Sequence, residues 1–466
     1  TWAVGGGQSV VPYGVPAGMN TPNPDPGEEY QHVNTQLFGT IDPETNRGVL
    51  ANKMTEPYNA PPDPLVPPTM TGFVADYISS FQAEMGKAPS YHQFAQIMTG
   101  YSPAQMPVVS ALARGFATFD HWFCEVPSQT FANRSFLHAA SSSGYVNNTS
   151  PIDSFPLHNT AETIFERLDR AGLSWKVYCD PPSHLSLTGL IHAPRLWRYF
   201  ETRFVTTDVF LEDAAAGRLP TYSFIEPNLL YGHNDMHPAF DALFPDTPLD
   251  PPSSLLGGEE LLARIYNAVR DSASEGGSNA YNTLLLVTFD EHGGTYDHVP
   301  PPLVPPPVSG GPAGQLGFRF NRSGVRVPAF AVSAWIPEHT VVTSQYRHTS
   351  LIATLRKRWQ LGEPLTARDA IAADIAPLVT RDTPRDPQDW PQAVPRLVPP
   401  YRGRIPAPEV ALRSLGRAGL AAFLALAEHL GKPSPQLRED EDISRADAIA
   451  LLQDVAQLVF ARLPGG

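Results

Sequence analysis

A short apolar run that ends in charged residues and paired glycines constrains this chain more than any other stretch. Residues 284–289 (LLLVTF) are apolar or β-branched, which is typical of a strand buried on both faces of a parallel sheet. Asp290, Glu291 and His292 follow at once, and Gly293-Gly294 come next. Open α/β sheets place their functional sites at the carboxyl ends of such strands. The stretch therefore predicts a site built on Asp290 and Glu291.

Adjacent side chains on a strand point to opposite faces, so Asp290 and Glu291 can face one ion only if the chain leaves strand geometry here. Gly293 and Gly294 make that departure cheap, because glycine adopts backbone conformations that other residues avoid. The alternative is a strand end with solvated charges. The second acid–histidine pair, Asp297-His298, favours the functional interpretation.

The composition bounds the classes of function. The chain has 466 residues with 33 basic and 47 acidic side chains, a net charge of −14, which argues against a general affinity for nucleic acid or anionic lipid. The longest apolar stretch of the C-terminal region, residues 420–427, is far too short to be a transmembrane segment. Cys124 and Cys179 permit one disulfide and require none.

Strand-like and helical stretches alternate over some 250 residues. Apolar β-branched runs at 116–126, 173–179, 221–227 and 325–335 are separated by helical patterns such as 160–172, 207–216, 258–270 and 347–359. The alternation predicts an α/β fold with a mostly parallel sheet between layers of helices. Residues 1–70, rich in Gly, Pro and Asn, predict irregular covering structure.

The pattern changes near residue 400. Two amphipathic helices are predicted at 409–430 and 444–463, and neither contains a candidate catalytic or binding residue. The sequence therefore predicts one domain over residues 1–400 and a helical extension over 401–466.

Thr130 stands at a second candidate position. The strand predicted at 116–126 runs into a turn at 127–130, and a helical pattern follows. A hydroxyl group at such a turn has the position of an exposed nucleophile. The backbone N–H groups at the start of the following helix can bind an anion. Taken alone, a threonine at a helix start is more commonly an N-cap.

Four stretches together resemble the bacterial phospholipase C and acid phosphatase family, which includes the plant non-specific phospholipases C. They are PSQTFANRSF (127–136), SFIEP with NDMHP (223–238), TFDEHGGTYDHVPPP (288–302) and GVRVPAFAVSAW (324–335). Their order and rough spacing agree with that family over residues 25–365.

The resemblance implies a core like that of the alkaline phosphatases and hydrolysis of phosphate esters beside a divalent metal ion. It implies that Thr130 is the nucleophile, that Asp290 and Glu291 bind the metal, and that His237 protonates the leaving group. These residue types suit the chemistry, because a metal both ionises a hydroxyl and neutralises phosphate oxygens, and histidine supplies a proton near neutral pH. The expected substrate is a phospholipid, cleaved at its phosphodiester bond.

Two alternatives stay open at this point. One is an acid phosphatase acting on small phosphomonoesters with the same residues. The other is a non-catalytic or truncated family member. A secreted or periplasmic location is expected, although the chain, which begins at Thr1, shows no signal peptide.

The chain departs from the family pattern in three ways. Family members begin with a strand ending in E-N-R-S-F-D, whose Glu and Asn complete the metal site, and this segment is absent. Loss of that strand is favoured over a metal-poor relative, and the sheet position beside residues 284–289 is then expected to be vacant or irregularly filled. Glu28 stands where many members have histidine, and Ala132 and Ala334 replace family prolines.

Overall fold

A computed structural model describes residues 2–5, 8–16, 18–148, 155–180, 186–229, 233–238 and 254–398. Its strands are β1 Trp2–Gly5, β2 Gln8–Val10, β3 Ala117–Phe119, β4 Trp122–Phe123, β5 Trp175–Cys179, β6 Phe204–Thr206, β7 Tyr222–Glu226, β8 Leu285–Thr288, β9 Ala329–Val332, β10 Thr340–Val342 and β11 Tyr346–Arg347. Its α-helices are α1 Tyr30–Phe38, α2 Phe73–Met85, α3 Tyr91–Ala95, α4 Pro107–Gly115, α5 Thr130–Ala139, α6 Phe155–His158, α7 Ile164–Arg170, α8 Leu187–Ile191, α9 Ala193–Leu196, α10 Phe200–Arg203, α11 Thr207–Ala215, α12 Leu255–Arg270, α13 Thr349–Trp359 and α14 Ala367–Ala370. The predicted helical extension, 401–466, lies outside the described residues.

A three-stranded parallel sheet, in the order β6-β5-β7, forms one half of the core. The central strand β5 points Trp175 and Val177 into an apolar cluster formed with α5, α7, α8 and α13. Tyr178, on its other face, packs against α11 and α12. Alternate residues of a strand face opposite sides, so β5 is buried on both faces by helices.

A four-stranded sheet in the order β10-β3-β9-β8 forms the other half. Helix α12 packs on both halves: Ala263 and Tyr266 join the cluster under this sheet, and Leu261 and Ile265 join the cluster of the parallel sheet. Among the strand pairs of the described residues, four are parallel and three antiparallel. The predicted α/β class, with mostly parallel pairing and helices around the sheets, is confirmed.

The surroundings of β8 differ from the prediction. Leu285–Thr288 pairs antiparallel with β9, lies at the edge of its sheet, and is half-buried along its length. It is therefore a half-buried edge strand with an antiparallel neighbour, and not a fully buried strand within a parallel sheet; no strand of the described residues pairs with its outer edge. The expectation of a missing N-terminal strand stays a prediction.

The N-terminal region also differs from the prediction of irregular structure. Helix α1 lies within it, and every residue from Tyr30 to Leu37 is buried. The helix lacks an exposed polar face, so the periodic pattern that marks a surface helix is absent from its sequence.

Both cysteines, Cys124 and Cys179, are buried and free, so the permitted disulfide is not formed. None of the described helices has the length and apolar character needed to cross a membrane.

Candidate active site

Thr130 is the first residue of α5, and the N-cap position belongs to Gln129. The preceding turn is held by Asn133, whose side-chain oxygen accepts hydrogen bonds from the backbone N–H groups of Glu125 and Val126 at 2.9 and 3.0 Å. The predicted turn and helix are therefore present, but the strand predicted at 116–126 is divided into β3 and β4, which belong to different sheets. The alternative in which Thr130 caps the helix is not observed. Its side chain is 4% exposed, at the positive end of the helix dipole.

Asn148 holds the first turn of α5 from outside the helix. Its Oδ1 accepts the Phe131 N–H at 2.8 Å, and its own N–H donates to Gln129 Oε1 at 2.9 Å. The Phe131 N–H is a donor, so the side-chain atom that faces it must be the oxygen of Asn148 and not the nitrogen, which fixes the orientation of the side-chain amide. Its Nδ2 is buried and has no hydrogen-bond partner within the described structure. The Asn148 side chain, which binds the backbone of Phe131, therefore carries a hydrogen-bond donor, Nδ2, that has no partner among the residues that the structure describes.

Arg134 joins the Thr130 helix to the ends of two strands. Its Nε donates to Asp290 Oδ2 at 2.7 Å, just after β8, and its NH1 group donates to Glu226 Oε1 at 3.0 Å, at the end of β7. Thr130 and Arg134 are four residues apart on one helix, so they share a face about one turn apart. Arg134 is 9% exposed, and the two carboxylates balance its buried charge.

The backbone of Asp290 is held by His348. The Trp122 indole N–H donates to His348 Nδ1 at 3.1 Å, so Nδ1 is the acceptor and the ring proton is on Nε2, which donates to the Asp290 carbonyl at 2.7 Å. Burial lowers the pKa of His348, which agrees with this neutral tautomer. The two oxygens of the Asp290 carboxylate accept from Arg134 and from the Glu291 N–H, and each keeps a lone pair.

Glu291 lies in a buried, negatively charged environment. Its Oε2 accepts the Gly293 N–H at 2.6 Å, and both Gly293 and Gly294 have positive φ, as the predicted departure from strand geometry requires. Burial, and then the carboxylates of Glu28 and Asp290, raise the pKa of Glu291 well above its usual value. A cation at this position would relieve that repulsion, so the donor set fits the metal that the family resemblance implies.

The segment of residues 25–28 packs against the Gly293-Gly294 turn. A Cβ atom at Gly294 would collide with Pro26, and one at Gly293 would lie 3.0 Å from Pro238 and 3.9 Å from Glu28 Oε1. Residues 25–28, 237–238 and 290–294 therefore meet at one place.

His237 lies in this meeting place with its ring fixed at both nitrogens. Nδ1 donates to the Pro238 carbonyl at 2.9 Å, and Nε2 lies 3.5 Å from Glu28 Oε2. Burial lowers the pKa of His237, but the carboxylates of Glu28 and Asp25 outweigh burial and raise that pKa well above its usual value. Asp235 orients the segment by accepting the His237 backbone N–H at 3.0 Å.

A buried polar network supports the 25–28 segment from behind. Gln36 Nε2 donates to the Gly27 carbonyl at 2.6 Å and to Asp76 Oδ2 at 2.8 Å. Its Oε1 accepts from His292 Nε2 at 2.7 Å, and the other Asp76 oxygen binds His32 at 2.8 Å. Helices α1 and α2 thereby hold the segment against the turn that follows Glu291.

The chain matches the model of the Phosphoesterase family over residues 11–362. It belongs to the phosphoesterase family. It is 34% identical over 396 residues to non-specific phospholipase C4 of Arabidopsis thaliana, covering 80% of this chain and 63% of that protein.

Two further matches are more distant. The phosphoesterase is 28% identical over 343 residues to phospholipase C A of Mycobacterium tuberculosis, covering 66% of this chain and 60% of that protein. It thus spans less than two thirds of the length of these curated relatives. A solved phosphonate monoester hydrolase from Silicibacter pomeroyi superposes with a TM-score of 0.33 and 16% identity, covering 62% of this chain and 73% of that one.

The phosphoesterase brings its predicted site residues together only in part. Glu291 and His237 lie at the meeting place described above, and Asp290 reaches the Thr130 helix through Arg134. The roles of Thr130, Asp290, Glu291 and His237 stay predictions.

Asp297 behaves differently from its histidine neighbour. Both of its carboxylate oxygens accept hydrogen bonds from Arg326, at 2.7 and 2.8 Å, so Asp297 fixes its loop. His298 is mostly exposed and binds the Tyr13 hydroxyl.

Sequence reasoning missed Arg134, Asn148 and Asp25. The asparagine carried a signal of another kind, a glycosylation sequon at Asn148, but its side chain is buried. For Arg134, the signal was available: it is four residues after Thr130, on the same helical face.

Proposed function

We propose that this phosphoesterase hydrolyses the phosphodiester bond of phospholipids, as a phospholipase C does, with Thr130 as nucleophile. The observation that carries the proposal is the Arg134 bridge, which ties the helix of Thr130 to Asp290. The names of the plant and mycobacterial relatives support the choice of a phosphodiester in a phospholipid.

In the proposed reaction the Thr130 hydroxyl releases its proton to solvent, its oxygen forms an O–P bond, and the bond from phosphorus to the leaving alkoxide breaks. The first turn of α5 and the Asn148 Nδ2 donor are placed to bind phosphate oxygens, as helix N-termini bind anions. Water then hydrolyses the threonine ester and regenerates the hydroxyl.

A divalent cation held by Asp290 and Glu291 would favour ionisation of the hydroxyl and neutralise phosphate charge. Arg134 orients the Asp290 carboxylate by donating its Nε–H to Oδ2, and its guanidinium is always charged. Gly293 N–H orients the Glu291 carboxylate in the same way.

His237 is the proposed proton donor to the leaving alkoxide. Its Nδ1 is committed to the Pro238 carbonyl, so the proton available for transfer is the one on Nε2. The carboxylates of Glu28 and Asp25 raise the pKa of His237, which keeps that proton in place at neutral pH.

The test compares Thr130→Ala and Thr130→Ser on a chromogenic phosphocholine diester and on a phosphate monoester, with and without added divalent metal. Thr130→Ala should lose about three orders of magnitude or more in kcat while keeping its thermal midpoint, because it removes the nucleophile. Thr130→Ser keeps a hydroxyl and should retain measurable turnover. An alanine variant with substantial activity would exclude the nucleophile role.

Substrate preference is read from the same assay. Faster turnover of the diester supports the phospholipase C proposal, and faster turnover of the monoester supports the acid phosphatase alternative. Absence of turnover with either substrate and with metal supports the non-catalytic alternative. The expected secreted or periplasmic location stays a prediction.

A further inference from the structure

Three side chains next to the proposed site form a compact group of metal-binding type. Asp25, Glu28 and His237 each offer one ligand atom, and these atoms lie within 4.8 Å of one another. The nearest measured pair, His237 Nε2 and Glu28 Oε2, is 3.5 Å apart. Ligand atoms of a tetrahedral zinc ion, with bonds of about 2.1 Å, are separated by about 3.4 Å. The group is therefore close to the size of a cation site.

Two carboxylate oxygens of the group have no hydrogen bond within the described structure. Glu28 is only 4% exposed, yet its Oε1 is unpartnered, and the same holds for the buried Oδ1 of Asp25. Buried carboxylate oxygens are normally satisfied, because an unmade hydrogen bond costs free energy. A positive ion between them would supply the missing interaction to both.

The histidine has the orientation of a metal ligand. Metal-binding histidines commonly donate one ring N–H to a carbonyl and bind the ion through the other nitrogen. His237 donates Nδ1–H to the Pro238 carbonyl and directs Nε2 at Glu28. Asp235 accepts the backbone N–H of His237, so the ring is held at a fixed position.

We propose that Asp25, Glu28 and His237 form a divalent-cation site of zinc type, separate from the Asp290–Glu291 pair. Two carboxylates and one imidazole suit a borderline ion such as Zn²⁺ better than Ca²⁺ or Mg²⁺, which prefer oxygen ligands alone. The inference rests on the geometry of these three residues and holds whether or not Thr130 is the nucleophile.

Occupation of this site has a chemical consequence for the proposed reaction. The cation takes the lone pair of His237 Nε2, so the imidazolium must release its Nε2 proton to solvent when the ion binds. The same nitrogen cannot then protonate a leaving alkoxide. The cation site therefore acts as an inhibitory site on the proton donor, and protons and Zn²⁺ compete for it.

The experiment titrates the metal-free full chain with Zn²⁺ alone, by calorimetry at pH 7. We expect a saturable binding event with about one ion per chain. Glu28→Gln and Asp25→Asn should each weaken this event about a hundredfold or more, since loss of even a supporting residue costs metal sites ten- to hundredfold. Circular dichroism and thermal midpoints establish that each variant is folded.

Two controls separate the outcomes. Glu29→Gln makes the same charge change at the neighbouring residue, outside the group, and should leave the event in place. Asp290→Asn alters the other proposed site and should also leave it in place. Unaltered Zn²⁺ binding by folded Glu28→Gln, or absence of Zn²⁺ binding by the wild type, overturns the proposal and leaves a plain ion pair between Glu28 and His237. Loss of the same event in Asp290→Asn overturns the separateness of the two sites.

Discussion

At the scale of single residues, the oxygen and the nitrogen of the Asn148 side-chain amide differ in their hydrogen bonding. Its oxygen is used by the Phe131 N–H, and its nitrogen is buried and unused. A buried donor without a partner is costly unless something binds it, so such an atom beside a proposed phosphate site has a direct interpretation. We therefore predict that the Asn148 side-chain oxygen holds the helix and that its Nδ2 group donates a hydrogen bond to a bound phosphate.

Asn148→Asp tests these two roles of the amide, because it keeps the oxygen that accepts the Phe131 N–H and replaces the Nδ2 donor by a negatively charged oxygen. Phosphate affinity, measured by competition with inorganic phosphate, should fall about tenfold or more, since a donor is lost and an anion is repelled. Asn147→Asp provides the matched charge change, because both ends of the Asn147 amide already have partners: Oδ1 accepts from the Tyr30 N–H and the Ser128 hydroxyl, and Nδ2 donates to Gln31. Equal effects of the two variants on phosphate affinity would contradict the assignment.

At the scale of elements, Arg134 is the point at which α5, β7 and β8 are fixed to one another. It is buried between Glu226 and Asp290, and Glu226 also accepts the Thr188 N–H at 2.9 Å. Removing one partner of a buried ion pair leaves the other charge uncompensated, which costs far more than losing an exposed pair.

Arg134→Met should therefore lower the free energy of unfolding by about 3–5 kcal/mol and abolish turnover, since the Asp290 carboxylate loses its anchor. Lys357→Met is the matched control, because Lys357 pairs with Asp374 while half exposed, and it should change stability by less than about 1 kcal/mol. Urea unfolding of both variants measures the difference. A similar small effect at the two positions would mean that Arg134 does not fix these elements.

The elements that could be predicted from the sequence are those specified by neighbouring residues. The turn and helix around Thr130 follow from a local change of pattern, and α13, observed at Thr349–Trp359, agrees with the helical pattern at 347–359. The antiparallel pairing of β8 with β9 depends on residues some 40 positions apart, and no local signal fixes it.

The contacts of the site residues could not be predicted from the sequence either, because they also join residues that are far apart along the chain. The chain shows that Asp290 and Glu291 end a strand, but it does not show that Arg134 binds one of them or that Glu28 lies near the other. Helix α1 was missed because its polar residues, among them Gln31 and Gln36, are buried in hydrogen bonds rather than arranged on an exposed face.

At the scale of the whole molecule, the buried His32–Asp76 pair links folding to pH. Burial lowers the pKa of His32, but the Asp76 carboxylate 2.8 Å away outweighs burial and raises the pKa from 6.5 to about 9. A group whose pKa is raised by folding contributes stability below its unfolded pKa and loses it as the pH rises through its folded pKa. The pKa of His237 is raised as well, so both act in the same direction.

The free energy of unfolding should accordingly fall between pH 6.5 and about 9, with up to about 3 kcal/mol coming from His32. Asp76→Asn removes the carboxylate that raises the pKa, so its stability should depend less steeply on pH in this window. Urea midpoints at several pH values measure both slopes. Equal slopes would show that the pair does not set the alkaline limit of stability.

The segments that meet at the site lie far apart along the chain. Arg134 and Asp290 are 156 residues apart, and Gln36 and His292 are 256 residues apart. Closing loops of this length costs chain entropy before any contact is gained, so such contacts form slowly compared with local helices. On the ribosome, residues 25–28 must wait until the Gly293-Gly294 turn has been synthesised before their binding surface exists. The proposed nucleophile, Thr130, is therefore synthesised 164 residues before Gly294, and until then it has no complete pocket in which to act.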